Sequence, residues 1–90
     1  MITLQVTWII PDGTDLDRRI DAIGGAGWHH TIDVAILNIL RGTHHYWVQI
    51  QGRRVSVMVA QKSGRNYLKT ETDYFEPNNL LALPHKYWAA

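Results

Sequence analysis

Hydrophobic and polar residues alternate at the start of the chain. Apolar side chains occupy every second position, at Ile2, Leu4, Val6, Trp8 and Ile10. A period of two is typical of a half-buried strand, so we predict one continuous strand over residues 2–10. Pro11-Asp12-Gly13 then predicts a turn, because proline presets one backbone dihedral angle and glycine tolerates the next.

The stretch after this turn has two interpretations. Leu16, Ile20 and Ile23 have helical spacing, whereas Ile20 and Ala22 also fit a short strand. Residues 14–23 are therefore compatible with either a helical turn or a strand. The glycine-rich segment 24–27 predicts a break in regular structure.

A helix is predicted from residue 32 to residue 40. Thr31 can cap its start, and Asp33 in the first turn suits the positive end of the helix dipole. Gly42 supplies a stop in the left-handed conformation. The apolar residues follow the i, i+3, i+4 spacing of a core-facing stripe, at Ile32, Ala35, Ile36, Ile39 and Leu40.

The pattern then returns to a period of two. Residues 46–51 and 55–60 alternate on either side of Gly52 and predict a β-hairpin, in which Trp47 lies on the sheet face opposite Val48 and Ile50. A polar turn at 62–66 leads to a strand over 67–70. We predict a single α+β domain over residues 1–90, with a mostly antiparallel sheet in the order β-α-β-β-β and one main helix on one face.

Composition fits a globular protein, since 46% of the residues are hydrophobic and 19% are charged. The chain has no cysteine, which excludes disulfides and thiolate chemistry. We find no signal peptide and no apolar run of the roughly 18 residues that a membrane span needs. These features predict a cytoplasmic protein with no membrane partner.

Charge is distributed unevenly along the chain. Residues 1–40 contain five acidic and two basic residues, whereas residues 41–70 contain six basic residues and no acidic one. Aromatic residues lie within the same basic block. Arginine side chains match phosphate and carboxylate groups, and aromatic faces stack on bases or guanidinium groups.

The last third of the chain carries the most distinctive motif. Tyr67-Leu68-Lys69-Thr70 precedes Asp73, and Asn78-Asn79-Leu80-Leu81 precedes Leu83-Pro84. With Gly24-Gly25, Trp28 and the predicted helix and hairpin, this pattern resembles domain of unknown function 3892, a bacterial and phage family, over roughly residues 17–84. The resemblance implies short, stand-alone proteins in a bacterial cell or in the host cell of a phage. It supplies no catalytic residues.

The inventory of reactive residues favours binding over catalysis. The serines lack a nucleophile motif, the carboxylates lack a desolvating context, and the glycines lack the lysine of a phosphate-binding loop. The adjacent pairs His29-His30 and His44-His45 lack metal-ligand spacing, although a site formed by His29 or His30 with His44 remains open. We therefore predict a non-enzymatic protein with no metal and no cofactor.

The first functional hypothesis is recognition of a small anionic, nucleotide-like ligand. Basic residues would bind its charge, Trp47 or Tyr67 would stack on it, and two asparagines would orient it. The predicted ligand-binding residues are Trp47, Arg53, Arg54, Arg65, Tyr67, Lys69, Asn78 and Asn79.

Two alternatives remain open. One is a protein-interaction module, either a homo-oligomer subunit or a phage or bacterial inhibitor of a host complex, suggested by Tyr87-Trp88 and by the apolar run 80–83. Leu80, Leu81 and Leu83 are also expected to pack against the core. The weaker alternative is nucleic-acid binding, since the isoelectric point of 8.2 lies below the value of about 9 that is typical of such modules.

Overall fold

The computed structural model describes residues 1–11, 20–71, 80 and 83–86. These residues combine one helix with strands, which confirms the α+β content. The elements are β1 (Ile2–Gln5), β2 (Trp8–Pro11), β3 (Ile20–Gly25), β4 (Trp28–Thr31), α1 (Ile32–Leu40), β5 (His44–Ile50), β6 (Arg53–Lys62) and β7 (Arg65–Thr70).

The strands form two sheets instead of one. A four-stranded sheet has the order β1-β5-β6-β7, and a three-stranded sheet has the order β2-β3-β4. All described strand pairs are antiparallel except β1 and β5, which are parallel. Antiparallel pairing is therefore confirmed as the main pattern. The predicted single sheet and the order β-α-β-β-β are wrong, because four strands precede the helix.

The predicted strand over residues 2–10 is two strands in different sheets. The Val6 N–H donates to the carbonyl oxygen of Trp47 in the four-stranded sheet (2.8 Å), and the Thr7 N–H donates to that of Gly24 in the three-stranded sheet (2.8 Å). The chain thus crosses between the sheets at Val6-Thr7. Ile9 and Ile10 are both buried, which breaks the alternation.

Gly24-Gly25 continue a strand and do not break it. A β-carbon on Gly24 would lie 2.1 Å from the Trp8 ring, and one on Gly25 would lie 2.4 Å from the Gln5 carbonyl oxygen. The glycines allow this close approach between neighbouring chain segments. Of the two interpretations for residues 14–23, the strand is confirmed from residue 20 onward, and residues 12–19 lie outside the described residues.

The helix agrees with the prediction at both ends. The Thr31 hydroxyl accepts a hydrogen bond from the Val34 N–H at 3.4 Å, and Gly42 has a φ of 72°. Ile32, Ala35 and Ile36 are buried against strands of both sheets. Leu40 was expected in the core but is 62% exposed, because it lies on the outer side of the helix with Val34 and Leu37.

Two tight turns connect the last three strands. Gln51 (φ 51°) and Gly52 (φ 78°) join β5 to β6, and Ser63 (φ 55°) and Gly64 (φ 76°) join β6 to β7. Positive φ at both central residues matches the right-handed twist of a two-residue hairpin. The predicted hairpin and the strand that follows it are confirmed, but this strand begins at Arg65 instead of Tyr67 because the turn contains only Ser63 and Gly64.

One hydrophobic cluster contains residues from both sheets and from α1. Leu80 is fully buried in it and Leu83 packs against it, as expected, whereas Leu81 lies outside the described residues. The backbone of Ile9 bonds to Pro84 and Lys86, which holds this late segment beside β2. Within the described residues, no helix is long and apolar enough to cross a membrane.

Candidate functional site

The candidate site lies on the outer face of the four-stranded sheet. Along β5, Tyr46, Val48 and Ile50 are buried, whereas Trp47 is half-buried and Gln49 is exposed. Because strand side chains alternate between faces, Trp47 and Gln49 point away from the core. The predicted orientation of Trp47 is confirmed.

Strand register brings other side chains to the same face. Trp47 is opposite Ser56, and Gln49 is opposite Arg54. One strand further, Met58 is opposite Lys69. We call these six residues the outer sheet face: Trp47, Gln49, Arg54, Ser56, Met58 and Lys69.

The centre of this face is a stacked pair of side chains. The guanidinium carbon of Arg54 lies 4.0 Å from the centroid of the Trp47 ring. A guanidinium group over an indole is attracted by the electrons of the ring, and its N–H groups remain directed outward around its edge. A guanidinium group in this position has a planar donor edge that suits phosphate or carboxylate oxygens.

Ser56, which is opposite Trp47, contacts two residues that were not among the predicted ligand-binding residues. Its hydroxyl lies 2.8 Å from His45 Nε2, and its backbone N–H donates to the Glu71 carboxylate at 3.1 Å. The Glu71 N–H donates in return to the Ser56 carbonyl oxygen at 2.9 Å. His45 alternates with buried Tyr46, so its outward direction was readable from the sequence, whereas the position of Glu71 depends on the β6–β7 register.

Several predicted ligand-binding residues lie away from this pair. Tyr67 is opposite Ala60 and Arg65 is opposite Lys62, so these pairs lie four and six residues along β6 from Ser56. At about 3.4 Å per residue the separations are about 14 and 20 Å. Of the predicted charges, Arg54 contacts Trp47, Lys69 lies on the same face two strands away opposite Met58, and Arg65 lies further along the sheet.

The surroundings of Arg65 and Arg53 differ from the predicted site. Arg65 lines a cavity of about 270 Å³ with Asp33, Ile36 and Asn66, beside the helix. Arg53 is exposed opposite Ile50 at the end of the β5–β6 hairpin, in alternation with Arg54. The predicted Asn78 and Asn79 lie outside the described residues.

A second polar cluster lies on the inner side of β5, and we call it the His–Tyr junction: His30, Asn38, His44 and Tyr46. The Tyr46 side chain is fully buried, and its hydroxyl accepts a hydrogen bond from Asn38 Nδ2 at 2.9 Å. The same hydroxyl lies 2.8 Å from His30 Nδ1. Since Asn38 donates to it, the hydroxyl can donate its own proton to a neutral His30.

Ring contacts complete the junction. His44 stacks on Tyr46 with a centroid distance of 5.8 Å and meets His30 edge-on at 5.6 Å. Trp28 packs against His30 at 5.1 Å. The paired histidines lie in strands, His29-His30 in β4 and His44-His45 in β5.

Burial changes the acid–base properties of the junction. It raises the pKa of Tyr46, and the hydrogen bond from Asn38 offsets part of that rise. Burial also lowers the pKa of His30, and the nearby His44 and His29 lower it further. Both effects favour neutral side chains, which suits a hydrogen-bonded joint between the two sheets.

A metal site formed by His30 with His44 was left open by the sequence. The interaction that the structure gives between these two residues is a contact of their rings. Across the described parts of the chain, no three histidine, aspartate or glutamate side chains converge in a way that could hold a metal ion. The His–Tyr junction therefore connects β4, α1 and β5 through hydrogen bonds and ring packing.

Comparisons with known proteins identify a family but no characterised relative. No curated protein and no solved structure gives a significant match. The family described as "Protein of unknown function (DUF3892)" matches residues 13–84. This range includes the His–Tyr junction and every residue of the outer sheet face. The chain therefore belongs to the DUF3892 family.

Proposed function

We propose that the protein is a non-enzymatic binding module that recognises a small anionic ligand, of phosphate or nucleotide type, on the outer sheet face. The observation that carries this proposal is the Arg54 guanidinium held 4.0 Å over the Trp47 ring. The sequence suggested Trp47 as a surface on which the ligand stacks. We propose instead that Trp47 holds the Arg54 guanidinium in position.

Stacking favours binding through pre-organisation. A free arginine side chain loses conformational entropy when a ligand fixes it, and a guanidinium group already held on an aromatic ring loses less. Oxygen atoms of a phosphate would accept hydrogen bonds from the outward N–H edge of Arg54. Gln49, which is exposed and directly opposite Arg54, supplies an additional amide group for a sugar or base.

The charges around the pair favour a ligand of limited size. Lys69 adds a positive charge on β7, opposite Met58 and two residues along β6 from Ser56. Glu71 accepts from the Ser56 backbone and places a negative charge at the edge of the same face. A long polyanion crossing the sheet would meet this carboxylate, so the outer sheet face suits a small anion better than a nucleic-acid strand.

Binding of defined anions tests the proposal. Isothermal titration calorimetry would measure the affinity of the full chain for inorganic phosphate and for nucleoside mono-, di- and triphosphates. Arg54→Ala should weaken binding of the tightest of these about tenfold or more, since hydrogen bonds to charged groups contribute roughly 1.5–3 kcal/mol. Trp47→Ala should weaken it by a smaller factor, through loss of the fixed Arg54 geometry.

Lys62→Ala is the matched control. It removes an exposed positive charge from the same strand as Arg54, eight residues away. Affinity that falls equally in Lys62→Ala and Arg54→Ala would show non-specific attraction and contradict the proposal. Absence of binding to all of these anions, or tighter binding of a single-stranded oligonucleotide than of any nucleotide, would also contradict it.

A further inference from the structure

Helix α1 exposes an apolar stripe on the side away from the sheets. Val34 is 44% exposed, Leu37 is 44% exposed and Leu40 is 62% exposed. The opposite side of the helix is already packed, with Ile32, Ala35 and Ile36 buried in the core. The stripe is therefore not needed to attach α1 to its own sheets.

The composition of α1 points to a second contact. Seven of its nine residues are apolar, and Asp33 and Asn38 are its two polar residues. A helix that is apolar on all sides is normally buried on all sides, whereas a helix on the surface of a soluble protein carries a polar outer face. The sequence of α1 is that of a helix covered by another apolar surface.

The stripe is symmetric about Leu37. Val34 and Leu40 lie three residues before and after it, and Asp33 and Arg41 lie four residues before and after it. At about 100° per residue, these five residues share an arc of about 120° around the helix axis.

A two-fold axis through Leu37 therefore matches the stripe to itself. In an antiparallel pair, Val34 of one copy and Leu40 of the other occupy the same layer. Asp33 and Arg41 of opposite copies share the next layer, where their charges are complementary. Antiparallel alignment also places the positive end of each helix dipole beside the negative end of the other, which is favourable.

We propose that the α1 stripe is a contact surface between two copies of this chain, related by a two-fold axis at Leu37. The apolar residues supply most of the attraction, and the charges at the ends select the antiparallel orientation. Because a single nine-residue helix offers a small interface, the dimer is of the weak or transient kind. This inference is independent of the anion site.

The surface differs from the one that the sequence suggested for self-association. Leu80 and Leu83 belong to the core, and residues 87–88 lie outside the described residues. The α1 stripe was missed because spacing assigned Leu40 to the core, whereas the exposed side of the helix includes it.

Single-cysteine variants test the geometry, because the natural chain has no cysteine. Leu37→Cys should form a disulfide-linked dimer under mild oxidation, since Leu37 meets its own copy at the axis. Val34→Cys alone should cross-link poorly, whereas an equimolar mixture of Val34→Cys and Leu40→Cys should cross-link efficiently. Met58→Cys is the control, because Met58 is 41% exposed on the outer sheet face.

The outcomes separate the possible arrangements. Efficient cross-linking of Val34→Cys with itself would indicate parallel helices and overturn the proposal. Equal cross-linking of Leu37→Cys and Met58→Cys would indicate random collision and would also overturn it.

Sedimentation velocity gives a measurement without cross-links. The natural chain, with a mass of 10.3 kDa, should shift toward twice that mass as its concentration rises. Leu37→Glu should weaken association at least about tenfold, because it places two like charges at the centre of the contact. Met58→Glu introduces the same charge at a similarly exposed position and should leave association unchanged. A natural chain that stays monomeric at all concentrations would overturn the proposal.

Discussion

Tyr46 and Trp47 are neighbours on β5 and have opposite environments. The Tyr46 side chain is fully buried, and its hydroxyl contacts Asn38 and His30. Trp47 is half-buried on the other side of the sheet and carries the Arg54 guanidinium. A buried polar atom without a partner has lost its hydrogen bonds to water, whereas a surface group keeps access to water. We therefore expect changes at Tyr46 to affect stability and changes at Trp47 to affect recognition.

The largest expected effect is at Tyr46. Tyr46→Ala should lower the free energy of unfolding by about 3–5 kcal/mol, because it removes a large side chain from a packed core. Tyr46→Phe keeps most of the volume and should cost about 1–3 kcal/mol, because Asn38 and His30 lose their shared partner. Urea denaturation followed by circular dichroism would measure both changes.

Trp47→Ala is the matched comparison on the same strand. Its cost should be clearly below that of Tyr46→Ala, since the lost contacts lie on a surface. Equal losses in the two alanine variants would contradict the contrast between the faces. A Tyr46→Phe protein as stable as the natural chain would show that the hydroxyl contacts are not needed.

The alternation that separates Tyr46 from Trp47 could be predicted from the sequence. So could helix α1 and the β5–β6 turn, because a capping threonine, apolar spacing and Gln51-Gly52 act within a few residues. These features depend on local interactions.

The division of residues 2–10 could not be predicted, because β1 and β2 share one alternating pattern and differ only in their partners. Gly24 is similar. It is needed where the Trp8 ring approaches the backbone, and this contact joins residues distant in sequence. Strand β4 was missed since His29-His30 resemble a loop when their neighbours in the sheet are unknown.

The candidate site shows the same limit. The basic block suggested Arg53, Arg54, Arg65 and Lys69 together, but register decides which of these lie near Trp47. Tyr46 has the same alternation as Val48 and Ile50 in the sequence. Its contacts with His30 and Asn38 depend on how β4, α1 and β5 meet, which spacing does not reveal.

A smaller effect is expected for the pH dependence of stability, through His30 in the His–Tyr junction. The pKa of His30 is lowered in the folded protein, chiefly by burial. The unfolded chain therefore binds a proton more readily, with a pKa near 6.5. Stability from this residue is complete above that pH and is lost as the pH falls through the lowered pKa of the folded state.

Urea denaturation at pH 7.5, 6.5 and 5.5 (values chosen around the ordinary histidine pKa of about 6.5) would measure this effect. His30→Asn keeps an acceptor for the Tyr46 hydroxyl and removes the titration, so its stability should fall less than that of the natural chain over this range. His85→Gln, which removes an exposed histidine, is the control and should keep the natural pH dependence. An unchanged pH dependence in His30→Asn would contradict the assignment to the His–Tyr junction.

The smallest expected effect is the coupling between Trp47 and Arg54. A double-mutant cycle with Trp47→Ala and Arg54→Ala should give a coupling energy of about 0.5–1 kcal/mol, the usual contribution of a cation–π contact at an exposed site. The same cycle with Trp47→Ala and Lys62→Ala should give a value near zero, because Lys62 lies six residues along β6 from Ser56, the partner of Trp47. Measured coupling in the first cycle alone would show that Trp47 holds Arg54 in solution. Equal coupling energies in both cycles would contradict the pre-organisation of Arg54 by Trp47, on which the proposed anion recognition depends. They would not bear on the proposed contact through the α1 stripe.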